Sequence, residues 1–197
     1  MMPSADYFCM VAKAMDIRKT HTVVVYDCQK GWFANRGAFM LKAFGHPDVR
    51  VLDGGLCKWK AESKEVVGDK CVATADDFAY NFNPDCVKNF DDVKAISESG
   101  SHQIIDCRPA GGFAGGNIPN SLNVAAPALA NADGSCKNAE ELKACFEDAG
   151  IDLSKPMVFT CGGGIMATVG KHCAEIAGAT GDKAVYDGSW AEYSAKC

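Results

Sequence analysis

MVFTCGGGIMATVGKHCAEIAG, residues Met157 to Gly178, reads as a buried strand joined to a helix through a glycine-rich turn led by a cysteine. Met157, Val158 and Phe159 form a short apolar run that ends at Thr160, and Ala167 to Ile176 places Val169, Cys173 and Ile176 at helical spacing. Between them Gly162, Gly163 and Gly164 allow positive φ, which lets successive N–H groups curl inward. The predicted product is a cup of amide donors, Gly162 through Ile165 and Met166, at a helix N-terminus around the sulfur of Cys161. Such a cup favours an anion, and the anion the chain offers there is a thiolate. The bland alternative is a small core cysteine at a strand end. Three successive glycines cost backbone entropy that a plain turn does not require, which favours the reactive reading.

Working outward, the same unit occurs twice. CQKGWFANRGAFMLKAFG (Cys28 to Gly45) laid without gaps on CGGGIMATVGKHCAEIAG (Cys161 to Gly178) shares the cysteine, the glycine three residues on, Ala34 with Ala167, Gly37 with Gly170 and the closing glycine. LDGGLCKW matches YDGSWAEY downstream in the same way, so the chain carries a duplicated α/β unit. In the first copy SADYFCMVAKAM reads as a helix with Ser4 as N-cap and Phe8, Val11, Ala12 and Met15 on one face. THTVVVYD reads as a strand buried on both faces, Ala34 to Phe44 as a helix, VRVLDGG as strand and turn, and LCKWKAE as a short helix. The second copy has a helix from Asn138 to Ala149 and AVYDGSW as strand and turn. It also has an extra block, from about Cys71 to Pro127, with the strands HQIIDCR and SLNV around the loop PAGGFAGGNIPNS.

Strands alternating with helices imply parallel pairing, hence an α/β fold with a doubly wound parallel sheet. Residues 71–197 can close a sheet of about five strands, whereas residues 1–70 offer only two. A two-stranded remnant needs to pack on the second copy or on another chain, which leaves a homo-oligomer through the partial domain open. In the gapless alignment Cys28 takes the place of Cys161, so it is either a second, resolving thiol or an unconstrained small residue.

A chain of 197 residues with 48% hydrophobic residues and a net charge of −5 is a globular protein of one large or two small domains. No basic block or aromatic-interleaved basic stripe occurs, which argues against nucleic acid. No apolar run approaches the ~18 residues of a membrane span, and MMPSADYF has no secretory pattern. Eleven cysteines at irregular spacing without a C-x-x-C pair supply neither a disulfide framework nor a zinc site, and no metal or cofactor is expected. A reducing, cytoplasmic setting follows, with Cys136, Cys145, Cys173 and most other thiols as small hydrophobes or neutral surface residues; a mitochondrial one stays open if the start lies upstream of Met1.

IIDCRPAGGFAGGNIPNSLNV, VFTCGGGIMA and YDGSW, in that order, together with VVVYD and LKAFGHPDVRVLDGGLCKW in the first copy, resemble the tandem-domain sulfurtransferases of the rhodanese superfamily over nearly the whole chain. The resemblance implies a partial, non-catalytic first domain and a complete catalytic second one. It implies that Cys161 takes sulfur from a small-molecule donor as a persulfide, held by the loop Gly162 to Met166, and passes it to cyanide or to a thiol such as thioredoxin or a low-molecular-weight thiol. Arg108 matches the family's Asp-Ala-Arg position, where a guanidinium binds the donor carboxylate; the other reading is a structural ion pair with Asp106 or a loop carboxylate. Departures are equally informative. Gly163 and Met166 replace a serine and a threonine of the mercaptopyruvate enzymes, Gly112 replaces a second arginine, and Asn117 and Asn120 alter Gly-His-Ile-Pro-Gly. Gly162 and Gly163 also lack the cations that thiosulfate enzymes carry after the cysteine, so the donor leans to 3-mercaptopyruvate. The alternative is a catalytically degraded binding module. A phosphatase is disfavoured because the sixth residue after Cys161 is Ala167 rather than arginine.

Overall fold

Each strand of the second copy is followed by a helix or a loop long enough to cross over the sheet, so every pairing in it is parallel. The computed structural model describes residues 2–29, 31–68 and 81–197. The first copy contributes α1 (Ala5–Ala14), β1 (Val23–Val25), α2 (Trp32–Ala43), β2 (Val49–Val51) and α3 (Gly55–Ala61). The second contributes β3 (Val87–Lys88), α4 (Phe90–Ser99), β4 (Gln103–Asp106), α5 (Ala110–Ala114), β5 (Ser121–Asn123), α6 (Ala139–Asp148), β6 (Met157–Thr160), α7 (Met166–Ile176), β7 (Lys183–Tyr186) and α8 (Ser189–Lys196). Its sheet runs β3-β7-β6-β4-β5.

Helices cover both faces of this sheet, which is why β4 and β6 are nearly continuous apolar runs. Alternate residues divide between the faces. Ile105, Met157, Phe159 and Val185 pack with Leu142 and Phe146 of α6 and with α7. Ile104, Val158, Ala184 and Tyr186 pack on the other side with Val93 and Ile96 of α4 and Tyr193 of α8. Capping fixes where the helices start. Asn89 with Asp92 and Asn138 with Glu141 form reciprocal capping boxes, and the Ser4 hydroxyl accepts the Tyr7 N–H at 3.3 Å.

The first copy is thinner. β1 pairs with β2 alone, and Val23 and Val25 lean on the cluster of Phe8, Ala12, Ala38, Leu41 and Phe44. Val24 and Tyr26, which were to be buried, are 51% and 58% exposed, because the opposite face of this two-stranded ribbon carries no covering helix among the described residues. Met15 is likewise exposed at the end of α1. The copies are joined where α2 packs on α7, and Phe39 of α2 enters the second copy's core. The loop after HQIIDCR contains the five-residue α5, and YDGSW runs on into α8; neither helix was legible from the sequence. The expected boundary at residues 70 and 71, Cys71 included, lies outside the described residues.

Candidate active site

In a parallel sheet all strand C-termini lie along one edge, and a crevice opens there where neighbouring strands send their connections in opposite directions. Here that edge brings Asp106 to Arg108, Thr160 to Cys161, and Tyr186 to Trp190 side by side, because β4, β6 and β7 are neighbours. Cys161 is 2% exposed. Its Sγ accepts the Gly164 N–H at 3.2 Å and lies 4.0 Å from the Ser189 hydroxyl, which also donates to the Tyr186 carbonyl at 2.9 Å. The turn itself is fastened to the start of α8: Trp190 N–H donates to the Cys161 carbonyl at 2.9 Å and Ala191 N–H to that of Gly162 at 3.0 Å. Gly164 is required by this geometry, since its φ is +82° and a Cβ would stand 2.9 Å from the Asp187 carbonyl oxygen.

The predicted cup of several amides on the sulfur is realised by one, that of Gly164. Gly162 and Gly163 form an exposed rim, and the N–H groups of Gly162, Gly163, Ile165 and Met166 donate to no acceptor among the described residues. The turn and the first turn of α7 therefore present unspent donors beside a buried sulfur.

The first copy shows what this arrangement holds. Aligning Asp53 with Asp187 makes Val51 equivalent to Val185; the sheet register pairs these with Val25 and Phe159 respectively. Asp27, not Cys28, thereby becomes the counterpart of Cys161. The match extends to Leu56 N–H, which donates to the Asp27 carbonyl at 2.8 Å as Trp190 does to that of Cys161. Asp27 Oδ1 accepts the N–H groups of Gln29 at 2.7 Å and Gly31 at 2.8 Å, and its Oδ2 accepts that of Ala34 at 2.8 Å. Gly31, with φ +80°, is the partner of Gly164. A carboxylate thus sits in the first copy where the sulfur sits in the second. Cys28 is displaced because its loop is one residue longer. It is exposed, its carbonyl accepts from Cys57 Sγ at 3.4 Å, and no hydrogen bond joins it to Cys161 among the described residues.

Arg108 makes the ion pair with Asp106 that its structural reading expects. Its Nε donates to Asp106 Oδ1 at 3.1 Å and Oδ2 at 2.9 Å, its Nη2 to Asp106 Oδ2 and to the Gly116 carbonyl, both at 2.7 Å, and its guanidinium lies 4.9 Å over the Trp190 ring. At 8% exposure it braces Trp190 and the 109–116 loop with Nε and Nη2. Among the altered positions, Asn120 takes the glycine-like conformation, φ +63°, and donates to the Ser97 carbonyl at 3.0 Å.

Arg36 of α2 escaped the sequence reading. Its Nη2 lies 2.6 Å from Asp187 Oδ1 and its Nη1 donates to the Gly164 carbonyl at 3.2 Å, so the first copy reaches across to hold the cysteine turn. Ser189, read as part of a turn, was missed as a neighbour of the sulfur. Its φ of +53° marks a position set by the site rather than by preference.

The family model for the rhodanese-like domain matches residues 2–62 and 89–196. Human 3-mercaptopyruvate sulfurtransferase is 32% identical over 206 residues, covering 98% of this chain and 69% of that protein. Chicken thiosulfate sulfurtransferase is 32% identical over 204 residues, covering 98% and 70%. The crystal structure of SseA, a 3-mercaptopyruvate sulfurtransferase of Escherichia coli, superposes with a TM-score of 0.87 at 30% identity over 96% of this chain and 74% of that one. No described helix is long and apolar enough to cross a membrane.

Proposed function

We propose, on the premise that this chain belongs to the rhodanese-like family and is a sulfurtransferase, that Cys161 carries the sulfur as a persulfide taken from 3-mercaptopyruvate. In the first half-reaction the Cys161 thiolate attacks the donor's sulfur. The carbon–sulfur bond breaks, and the departing enolate takes up the donor's thiol proton to become pyruvate. In the second, a thiol acceptor or cyanide attacks the outer sulfur and the Cys161 thiolate leaves, so electrons and protons balance without a cofactor. The amide-lined turn serves both anions: Gly164 N–H meets the inner sulfur, and the unspent N–H groups of Gly162, Gly163, Ile165 and Met166 face the charge that moves outward.

The observation that carries this reading is Asp27, whose carboxylate accepts three amides in the equivalent turn. The repeated turn thus directs its backbone amides at an acidic side chain in the position equivalent to Cys161, although Asp27 is only partly buried where Cys161 is 2% exposed. Within the repeated architecture residues 1–70 act as a partial, non-catalytic copy and residues 71–197 as the catalytic one. The neutral rim supports this donor, since Gly162 and Gly163 place no cation for the dianion thiosulfate. Arg108 supports the site through Trp190, so the donor carboxylate is left to the backbone amides of the rim.

Intact-mass analysis tests the proposal. Incubation with 3-mercaptopyruvate should add one sulfur atom, mapped to Cys161 and absent in Cys161→Ser, with less adduct from thiosulfate at equal concentration. No adduct from either donor would leave a binding module, and preferential loading by thiosulfate would reverse the donor assignment.

A further inference from the structure

A second pair of sulfurs lies outside this site. Cys136 and Cys173 place their Sγ atoms 3.4 Å apart at the wall of a cavity of about 390 Å³ lined by both copies, including Trp32 and Asp53 of the first and Leu129, Lys137 and Val169 of the second. We propose that Cys136 and Cys173 are a dithiol site, separate from Cys161, that closes reversibly to a disulfide when a peroxide or a low-molecular-weight disulfide enters this cavity.

The two thiols are placed unequally. Cys173 is 2% exposed on the inner face of α7, fixed by the helix and the core around it. Cys136 is only partly buried, in a short hairpin where it bridges Ala130. A disulfide needs about 2.05 Å between sulfurs, so the pair must approach by about 1.3 Å. The hairpin side can supply that movement. Two of its ties, the Cys136 N–H to Asp53 Oδ1 at 2.7 Å and the Lys58–Asp133 pair at 3.1 Å, lie at the solvent edge, while Ser135 is buried and Cys136 packs on the core.

Access and proton position assign the roles. The hydrogen-bonding contact with Cys173 holds the Cys136 thiol below its usual range, although burial and the Asp53 carboxylate oppose this. The same contact, with burial, holds Cys173 well above its usual range. Cys136 is thus the attacking thiolate and Cys173 the protonated resolving thiol. With a peroxide, Cys136 becomes a sulfenic acid as the oxygen–oxygen bond breaks. Cys173 then attacks that sulfur, its proton leaves with the hydroxide as water, and two thiols have surrendered two electrons. With a small disulfide, Cys136 first forms a mixed disulfide and Cys173 displaces the second small thiol. Cys107, fully buried beside Cys173, has no exposed surface through which to begin either sequence.

The full chain, treated with oxidised glutathione or hydrogen peroxide, quenched with an alkylating agent and mapped by fragmentation, should yield a crosslink between residues 136 and 173 that dithiothreitol removes. Cys161→Ser should form the same crosslink, which separates this site from the persulfide chemistry. Cys136→Ser should abolish it and leave Cys173 alkylated only on unfolding; Cys173→Ser should trap Cys136 as the mixed disulfide. Circular dichroism and melting of both variants establish that they fold. The proposal is overturned if Cys136 stops at the mixed disulfide in the unaltered protein, or pairs with another cysteine.

Discussion

Arg36→Gln tests whether the first copy serves the chemistry or merely adheres to the second. Arginine at this position makes a charged contact with Asp187 at 2.6 Å and a longer one with the Gly164 carbonyl at 3.2 Å, both partners of the ion pair being 12% exposed. A hydrogen bond between charged groups contributes about 1.5–3 kcal/mol and one to a neutral carbonyl about 0.5–1.5 kcal/mol. Glutamine can reach only one of the two, and Asp187 keeps its bond from the Met2 N–H at 2.5 Å. The net loss is therefore about 2 kcal/mol. If the turn needs this clamp to aim Gly164 N–H at the sulfur, most of that loss falls on the loading step, where about 1.4 kcal/mol is a factor of ten. Single-turnover pyruvate release should slow by about 10- to 30-fold, with little change in the donor concentration at half-saturation. Arg36→Lys, which keeps the charge but not the fork, should lie between the two. Loading within twofold of the unaltered protein, alongside a lowered melting temperature, would refute the reasoning: Arg36 would then be only a tie between copies.

Gly164→Ala forces a side chain onto φ +82° and within 2.9 Å of the Asp187 carbonyl, so persulfide formation should fall at least about tenfold and stability by about 1–3 kcal/mol; normal loading measured by mass would show that the turn relaxes freely. Asp27→Ala leaves the amides of Gln29, Gly31 and Ala34 without their acceptor and should cost about 2–3 kcal/mol, read as a melting temperature lower by about 5–10 °C. An unchanged melting curve would mean that water replaces the carboxylate without loss. Although burial pushes the Glu175 carboxyl up, His172, Lys171 and Lys42 draw it down from the usual 4.5 to about 2. Because its folded value is the lower, its stabilisation is complete above about pH 4.5 and is lost as pH falls toward 2, about 2–3 kcal/mol after allowing for partial exposure. Glu175→Gln should flatten that acid limb in denaturant titrations; an identical limb would mean that other carboxylates govern it.

Where the fold was legible, periodicity and glycine placement made it so. Met157 to Gly178 forms the strand, turn and helix expected of it, and the five-stranded parallel sheet follows from alternation. What could not be read depends on partners distant in sequence. Burial of VVVYD was inferred from its composition, but burial needs a neighbour on each face and β1 has one strand and one covered side. A gapless alignment cannot register a single extra residue in a loop; only strand pairing identifies Asp27 as the counterpart of Cys161. Arg36 lies 151 positions from Asp187 and has no local signature of its task. For Arg108 the local signal is Asp106, an acidic residue two positions away at a strand end and so well placed to engage it. Cys136 and Cys173, separated by 37 positions, looked like ordinary small hydrophobes until the hairpin met α7.

The aspartate in the first copy has a bearing on inhibitor design. It shows, in the protein's own atoms, how a carboxylate oxygen can satisfy this kind of backbone nest, down to the three amides it engages. A short acid able to slide over the glycine rim and copy that pose should compete with the sulfur donor while leaving the cysteine unmodified, its potency rising as the side chain of Asp27 is more closely imitated.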